Sequence, residues 1–149
     1  MPSNARAVVL GALLVSGCVQ PALVSLTSHS RATFPASQRD AVWGRALAQL
    51  QEDNRTIDWC SYESGVIRAE GLEVVPCTGG VARSNAETAG ECGARTTMQL
   101  TLFDGLATLR SSRLIGGTVR GYDPLIVSDD RAAISAMDAA MIATIAGER

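Results

Sequence analysis

The sequence predicts an α+β domain, and three patterns along its 149 residues support that class. Apolar residues recur at helical spacing in residues 37–52 and again in residues 128–146. Between them, residues 56–114 contain alternating apolar and polar stretches separated by turn signals. The predicted order is an N-terminal helix, a four-stranded antiparallel meander and a C-terminal helix packed on one sheet face.

The first predicted helix begins near Ser37, which together with Asp40 forms a near relative of a capping box. Its apolar stripe consists of Val42, Trp43, Ala46, Leu47 and Leu50. A stripe of this spacing faces a core. We therefore interpret Trp43 as a core anchor.

Two turn signals divide the predicted strands into hairpins. Asp104-Gly105 is the stronger signal, because both central residues of the expected turn need a positive φ. Glu63-Ser64-Gly65 marks the other turn. The predicted strands cover residues 56–62, 66–75, 97–103 and 106–114. Residues 76–93 are rich in Gly, Ser, Thr and Asn, and they predict a surface loop.

The closing helix is predicted to begin at Ser128, with Asp129 and Asp130 in its first turn, where the helix dipole favours acidic groups. Gly147 is the expected C-cap. The apolar stripe consists of Ile134, Met137, Met141, Ile142 and Ile145. We interpret this stripe as core packing.

The first residues of the chain have the pattern of a secretory signal. A short polar start ending at Arg6 precedes an apolar run over residues 7–15. A helix that crosses the ~30 Å hydrocarbon core needs ~20 residues, so this run is too short to span a membrane.

Val15-Ser16-Gly17-Cys18 resembles the lipobox of bacterial lipoproteins. The resemblance implies a diacylglyceryl group on the sulfur of Cys18, cleavage just before that residue and acylation of the new amino group. It divides the chain into a signal peptide (residues 1–17), a lipidated cysteine with a flexible tether (residues 18–34) and one periplasmic domain (residues 35–149). Val19 is not the Asp that retains enterobacterial lipoproteins in the inner membrane, which implies an outer-membrane location facing the periplasm.

The element order from Ser37 to Gly147 resembles small periplasmic lipoprotein domains of the helix-grip type, such as lipoprotein C of the outer-membrane barrel-assembly machinery. The segments "AVWGRAL" and "SGVIR" are the closest similarities. This resemblance implies a fold and assigns no binding or catalytic residue.

Strand order predicts which cysteines pair. With a turn at residues 63–65, Cys60 lies beside Ile67, about ten residues or ~30 Å along the sheet from Cys77. A disulfide requires Cα atoms within ~7 Å. Cys92 precedes the third strand at the sheet edge where the second strand finishes, so we predict a Cys77–Cys92 disulfide in the oxidising envelope. Cys60 is then left as a small buried apolar residue.

Several classes of site are disfavoured by composition. The chain contains no lysine, which excludes Schiff-base and phosphate-loop lysines. Its arginines are scattered and the net charge is −2, which argues against nucleic-acid binding. The single histidine, His29, lies in the predicted tether. We therefore predict no catalytic residues, no metal site and no cofactor.

The leading hypothesis is a lipid-anchored, non-catalytic domain that binds another envelope protein or supports an assembly, with the membrane as the partner of lipidated Cys18. One alternative is a small hydrolase or thiol enzyme that uses Cys60, or Asp58 with Glu63. A second alternative is a carrier of a small ligand. A deep pocket with buried carboxylates favours an enzyme or carrier, and a flat apolar patch favours a partner surface.

Overall fold

One antiparallel sheet carries two helices on a single face in the computed structural model, which describes residues 23–79, 89–116 and 124–148. The elements are β1 (Val24–Thr33), α1 (Arg39–Glu52), β2 (Thr56–Ser61), β3 (Val66–Gly79), β4 (Ala89–Phe103), β5 (Leu106–Ile115), β6 (Pro124–Leu125) and α2 (Ser128–Ala146). The strand order is β1-β5-β4-β3-β2, and the short β6 pairs with the far end of β3. The α+β class is confirmed.

Helix α1 follows a short 3-10 turn at Ala36–Gln38. It buries Val42, Ala46 and Leu50, which are three of the predicted stripe positions. These residues pack on the sheet beside Ile142 and Ile145 of α2, so both helices cover the same sheet face.

Helix α2 begins at Ser128, and the backbone N–H of Val127 donates to the carboxylate of Asp130 at 3.1 Å. This bond satisfies one of the free N–H groups that every helix start presents. The cap is therefore supplied by Asp130 and not by the predicted Ser128. Gly147 ends the helix in the left-handed conformation, with φ of 88°, as predicted.

Arg45 joins the two helices. Its Nε donates to the carbonyl of Ile145 at 2.9 Å and its Nη2 donates to the carbonyl of Ala146 at 3.1 Å. Carbonyls in the last turn of a helix have no partner within the helix. A side chain of α1 thus caps the end of α2 and fixes the angle between them.

The Asp104-Gly105 turn between β4 and β5 is confirmed. Both residues have positive φ, 48° and 74° respectively. A Cβ on residue 105 would lie 2.8 Å from the carbonyl oxygen of Phe34, so glycine is required by contact as well as by conformation.

The prediction of four strands with a flexible tether through residue 34 is wrong for residues 24–33. These residues form β1, which pairs with β5 over its whole length, from Val24↔Ile115 to Thr33↔Leu106. The inward positions of β1 include Ser28 and Ala32, which are small or polar. Such positions produce no apolar alternation, so the sequence pattern does not indicate a strand here.

The loop predicted for residues 76–93 is also shorter than expected. Strands β3 and β4 continue pairing to Thr78↔Ala89, so only residues 80–88, which lie outside the described residues, remain between the two strands. The ladder is formed by backbone groups, and Gly or Thr in the sequence does not prevent it once the inward side chains are covered. Val75, Cys77, Cys92 and Ala94 are these covered side chains.

Among the described residues, the core consists of two apolar clusters on the helix-covered face. The larger cluster lies beneath α1 and the second half of α2, and it includes Leu100, Leu102 and Leu109. The smaller cluster surrounds the disulfide and includes Val75, Ile115 and the Ile134 side chain of α2. Buried polar residues lie on the same sheet face among these apolar side chains.

Candidate functional site

The polar part of the core is a buried ion-pair network, which we define as Arg55, Glu73, Arg113 and Asp138. Arg113 of β5 and Asp138 of α2 are 1 % and 2 % exposed. The guanidinium of Arg113 donates from Nη1 to Oδ2 of Asp138 at 2.8 Å and from Nη2 to Oδ1 at 2.6 Å. Such a bidentate pair is the strongest geometry available to these groups. It fixes α2 to the central strands.

Two serine hydroxyls complete the environment of Asp138. Ser28 of β1 and Ser111 of β5 both donate to its Oδ2. Arg113 also donates from Nη1 to the hydroxyl oxygen of Ser111 at 2.8 Å. The carboxylate therefore joins α2, β1 and β5 at one point.

Glu73 extends the network across the sheet. Its Oε1 accepts hydrogen bonds from Nε of Arg113 at 2.5 Å and from the hydroxyl of Thr96, and its Oε2 accepts from Nη2 of Arg55. The four charged groups of the network sum to zero. A balanced set is required, because an unpaired buried charge is strongly destabilising.

The network holds both carboxylates in their ionised form. Burial raises the pKa of Asp138, but hydrogen bonds from Arg113, Ser111 and Ser28 outweigh it, and the pKa lies below the ordinary value. Burial likewise raises the pKa of Glu73, and the hydrogen bond from Thr96 and the charge of Arg113 reverse that effect, so this pKa is also lowered. Neither group is a proton donor at neutral pH.

A cavity of about 600 Å³ lies beside the network. All four charged residues of the network contribute to its wall, and Arg55 has two buried donors, Nε and Nη1, with no hydrogen-bond partner among the described residues. The remaining wall combines apolar side chains with polar or charged ones: Leu72, Val74, Met98, Met137, Ala140 and Met141 are apolar, and Gln49, Asp53 and Thr144 are not. Its volume falls in the range of small-molecule pockets, ~300–1,000 Å³.

The sequence interpretation missed this network, although the signal was present. Asp138 lies four residues after Ile134 and four before Ile142, in the middle of the predicted apolar stripe. Arg113 lies between Ser111 and Ile115 on the inward face of β5. A charged residue at the centre of an apolar pattern predicts a buried partner of opposite charge.

The predicted cysteine pairing is the one that the structure shows. Cys77 and Cys92 lie at disulfide distance, with their Cα atoms 5.7 Å apart, and both are buried. The prediction that they hold the two ends of a loop over residues 76–93 is wrong, because both cysteines lie within paired strands. They join β3 and β4 within the ladder, where Val75 pairs with Cys92 and Cys77 pairs with Gly90.

Cys60 is paired with Ile67, as the predicted register requires, and it is a free cysteine. The prediction that it is buried is wrong, because Cys60 is exposed on β2, which is an edge strand of the sheet. His29 lies on β1 at the other edge of the sheet, four strand spacings or roughly 19 Å away. It is not placed to act as a base for this thiol.

Asp58 and Glu63 are both exposed and lie on different elements. Asp58 is at the irregularity in the pairing of β2 with β3, and Glu63 is in the following turn. In that turn the carbonyl of Glu63 accepts a bond from Arg39 at 3.4 Å.

Trp43 is packed at the border of the core and is only partly buried. Its ring meets the ring of Tyr62 edge-on at 5.3 Å. The guanidinium of Arg39 lies 4.5 Å from the centre of the Tyr62 ring, and Tyr62 donates to the carboxylate of Asp40, which raises the pKa of the phenol. The predicted core anchor thus joins α1 to the first hairpin turn.

The opposite face of the sheet carries an exposed group of apolar side chains, which we call the outer patch. It consists of Leu23, Leu72, Val74 and Leu114. Leu72, Arg95 and Leu114 occupy one cross-strand row, so a guanidinium lies between the two leucines. Gly93 adds no side chain, and a Cβ there would meet nothing within 4 Å, which leaves a shallow depression beside Arg95.

Cys18, the predicted lipid attachment site, lies outside the described residues. Within the described ranges no cluster of three or more His, Cys, Asp or Glu side chains is arranged to hold a metal ion. None of the helices in these ranges combines the length and hydrophobicity that a membrane span requires.

No protein-family model matches the chain, and no curated protein matches it. Among solved structures, the chain is similar to a TBP-like protein from Parabacteroides distasonis, with 12 % sequence identity and a TM-score of 0.47. The match covers 84 % of this chain and 90 % of that chain. We transfer neither a function nor a site residue from this similarity.

Proposed function

We propose that this protein is a lipid-anchored lipoprotein of the cell envelope whose folded part is a non-catalytic domain that binds another envelope protein or supports an assembly. The lipobox-like Val15-Ser16-Gly17-Cys18 supports the anchor, with the sulfur of Cys18 as the attachment atom. Val19 supports placement in the outer membrane, facing the periplasm.

The geometric observation that carries the non-catalytic assignment is the state of the two buried carboxylates. Glu73 and Asp138 have lowered pKa values, and guanidinium and hydroxyl groups donate to all four carboxylate oxygens. A general acid or base needs a pKa near the working pH and access to the substrate. The network therefore supports a structural role, in which it positions α2 on the sheet.

The alternatives that use Cys60, or Asp58 with Glu63, have no comparable geometric support. Asp58 and Glu63 are both exposed and lie on different elements. A thiol nucleophile needs an adjacent base or a lowered pKa. Cys60 has the apolar Ile67 as its cross-strand neighbour, and His29 lies at the opposite sheet edge.

Replacement of Cys18 by serine tests the anchor. We expect the wild-type protein in the membrane fraction and the C18S variant in the soluble fraction or as an unprocessed precursor, because the hydroxyl of serine does not replace the thiol as the acceptor. Cell fractionation combined with the mass of the N-terminal peptide measures both effects. Cys60→Ser is the matched control and should remain in the membrane fraction. A C18S protein that stays with membranes and is cleaved at the same bond would contradict the proposal.

A second candidate function, a carrier of a small ligand, is favoured by the cavity beside the network. A wall that includes three methionine side chains and two Arg55 donors without a partner among the described residues suits a ligand that has an apolar body and a hydrogen-bond-accepting anionic or carbonyl group.

The aromatic sulfonate 1-anilinonaphthalene-8-sulfonate is a suitable probe for the cavity. We expect it to bind with increased fluorescence, and we expect Met141→Trp, which fills the cavity, to weaken binding at least about tenfold, equivalent to ~1.4 kcal/mol. Leu114→Asp alters the outer patch alone and is the control that should leave binding unchanged. Equal probe affinity in wild type and M141W would exclude the cavity as the binding site.

A further inference from the structure

We propose that the outer patch docks the domain onto the surface of the membrane that holds its lipid anchor. This inference rests on the proposed function, because it takes lipidated Cys18 as the attachment point. The occupant of the patch is then the boundary between lipid headgroups and acyl chains.

The first observation is the exposure of the patch. Leu72 is 81 % exposed, Leu23 63 %, Val74 57 % and Leu114 48 %. A row of exposed aliphatic side chains on one sheet face marks an interaction surface more often than a single exposed residue does. The helices lie on the other sheet face and leave these side chains exposed, although Leu72 and Val74 also border the cavity beside α2.

The second observation is the position of the chain end. Leu23, the first described residue, belongs to the patch, and a Cβ at Gly116 would collide with its side chain. Cys18 precedes Leu23 by five residues, which span at most about 18 Å when fully extended. Because acyl chains on Cys18 are inserted in the bilayer, the patch is confined close to that bilayer.

The third observation is the chemistry inside the patch. Arg95 is exposed and lies between Leu72 and Leu114. A guanidinium surrounded by aliphatic groups suits the headgroup boundary, where phosphates accept hydrogen bonds and leucines enter the apolar region. Gly93 allows close approach of this surface to the lipid.

Because the lipid on Cys18 already holds the protein at the membrane, a weak contact between the outer patch and the membrane is sufficient for docking. A short tether raises the effective concentration of the second contact, and binding of the patch becomes intramolecular. The acyl chains provide affinity, and the patch provides orientation. In the docked state the sheet faces the membrane and the helices face the periplasm.

Site-specific labelling of the full lipidated chain tests the docked orientation. The background is Cys60→Ala, so that a cysteine introduced at Leu114 carries the only free thiol beside lipidated Cys18 and the Cys77–Cys92 disulfide. Leu106→Cys is the matched control, because Leu106 is an exposed leucine on the same face of β5, about 26 Å along the strand. Each variant is labelled with the fluorophore NBD and reconstituted into phosphatidylethanolamine–phosphatidylglycerol vesicles with or without nitroxide-labelled phospholipid.

We expect nitroxide lipid to quench the label at position 114 at least about twofold more than the label at position 106, because an interfacial group lies ~5–10 Å within the headgroup boundary. Equal quenching at the two positions, in protein that floats with the vesicles, overturns the docking inference and leaves the anchor intact. Concentration-dependent self-quenching at position 114 without lipid quenching also overturns it, and indicates a second copy of the chain on the patch. Failure of both variants to float refutes the proposed anchor and the inference together.

Discussion

Replacing Asp138 with alanine is expected to lower the free energy of unfolding by ~3–5 kcal/mol, because Arg113 would then be a buried charge without its main partner. Ser28 and Ser111 would lose their common acceptor in the same variant. Chemical denaturation followed by circular dichroism measures the change. Asp129→Ala is the matched control, because Asp129 is an exposed acidic residue in the first turn of the same helix. It should lower the free energy of unfolding by only ~0.3–1 kcal/mol.

The double variant Arg113→Met with Asp138→Leu removes both charges of the pair and keeps apolar side chains at both positions. Its free energy of unfolding shows how much of the loss in Asp138→Ala comes from leaving Arg113 without a partner. Removing both charges leaves no buried ion unpaired between them, so we expect the double variant to be more stable than Asp138→Ala. Its stability should also be less sensitive to acid. The pKa of Asp138 is lowered on folding, so its contribution is present above the unfolded value of ~3.9 and is lost as the pH falls through the lower folded value. A loss below ~1 kcal/mol in Asp138→Ala would contradict the assignment of the network as the main polar anchor of α2.

Removal of the Cys77–Cys92 disulfide is the second large expected effect. Changing both cysteines to alanine should lower the free energy of unfolding by ~3 kcal/mol in the chain-entropy model, since the sequence separation is 15 residues. The fold should persist, because β3 and β4 are paired on both sides of the bridge. Denaturant midpoints of the oxidised wild type and the double variant measure the difference.

Cys60→Ala is the control for this experiment, because the side chain is exposed and unbridged, and it should leave the midpoint nearly unchanged. Peptide mass mapping of the oxidised protein should find Cys77 joined to Cys92. A bridge that includes Cys60 would contradict the pairing of Cys60 with Ile67 on which the register depends.

Features that depend on neighbouring residues alone were predictable. The Asp104-Gly105 turn and the Gly147 cap follow from local φ preferences, and both helices follow from stripes that the core buries. The cysteine pairing was predictable as well, because a hairpin turn fixes the register of its two strands, and the register then excludes Cys60.

The residue that caps α2 and the length of the β3–β4 hairpin were less predictable from the sequence. Val127 donates to Asp130 in place of a cap by Ser128, and pairing continues to Thr78↔Ala89 in a segment rich in glycine and threonine. Backbone ladders tolerate such residues when tertiary contacts cover the inward side chains, and composition alone does not report those contacts.

By itself the sequence determined the α+β class, the meander, the helix faces, the Cys77–Cys92 pair and the lipobox hypothesis for Cys18. Tertiary structure alone decided the fifth long strand and the candidate site. β1 becomes a strand because β5 offers it an edge, and its inward Ser28 is stabilised by Asp138, which lies 110 residues away in the sequence. The network likewise combines side chains from four separate segments: α2, β5, β3 and the residues between α1 and β2. A buried charge is tolerated only when its partner is present, and that partner is defined by distance in space and not by spacing along the chain.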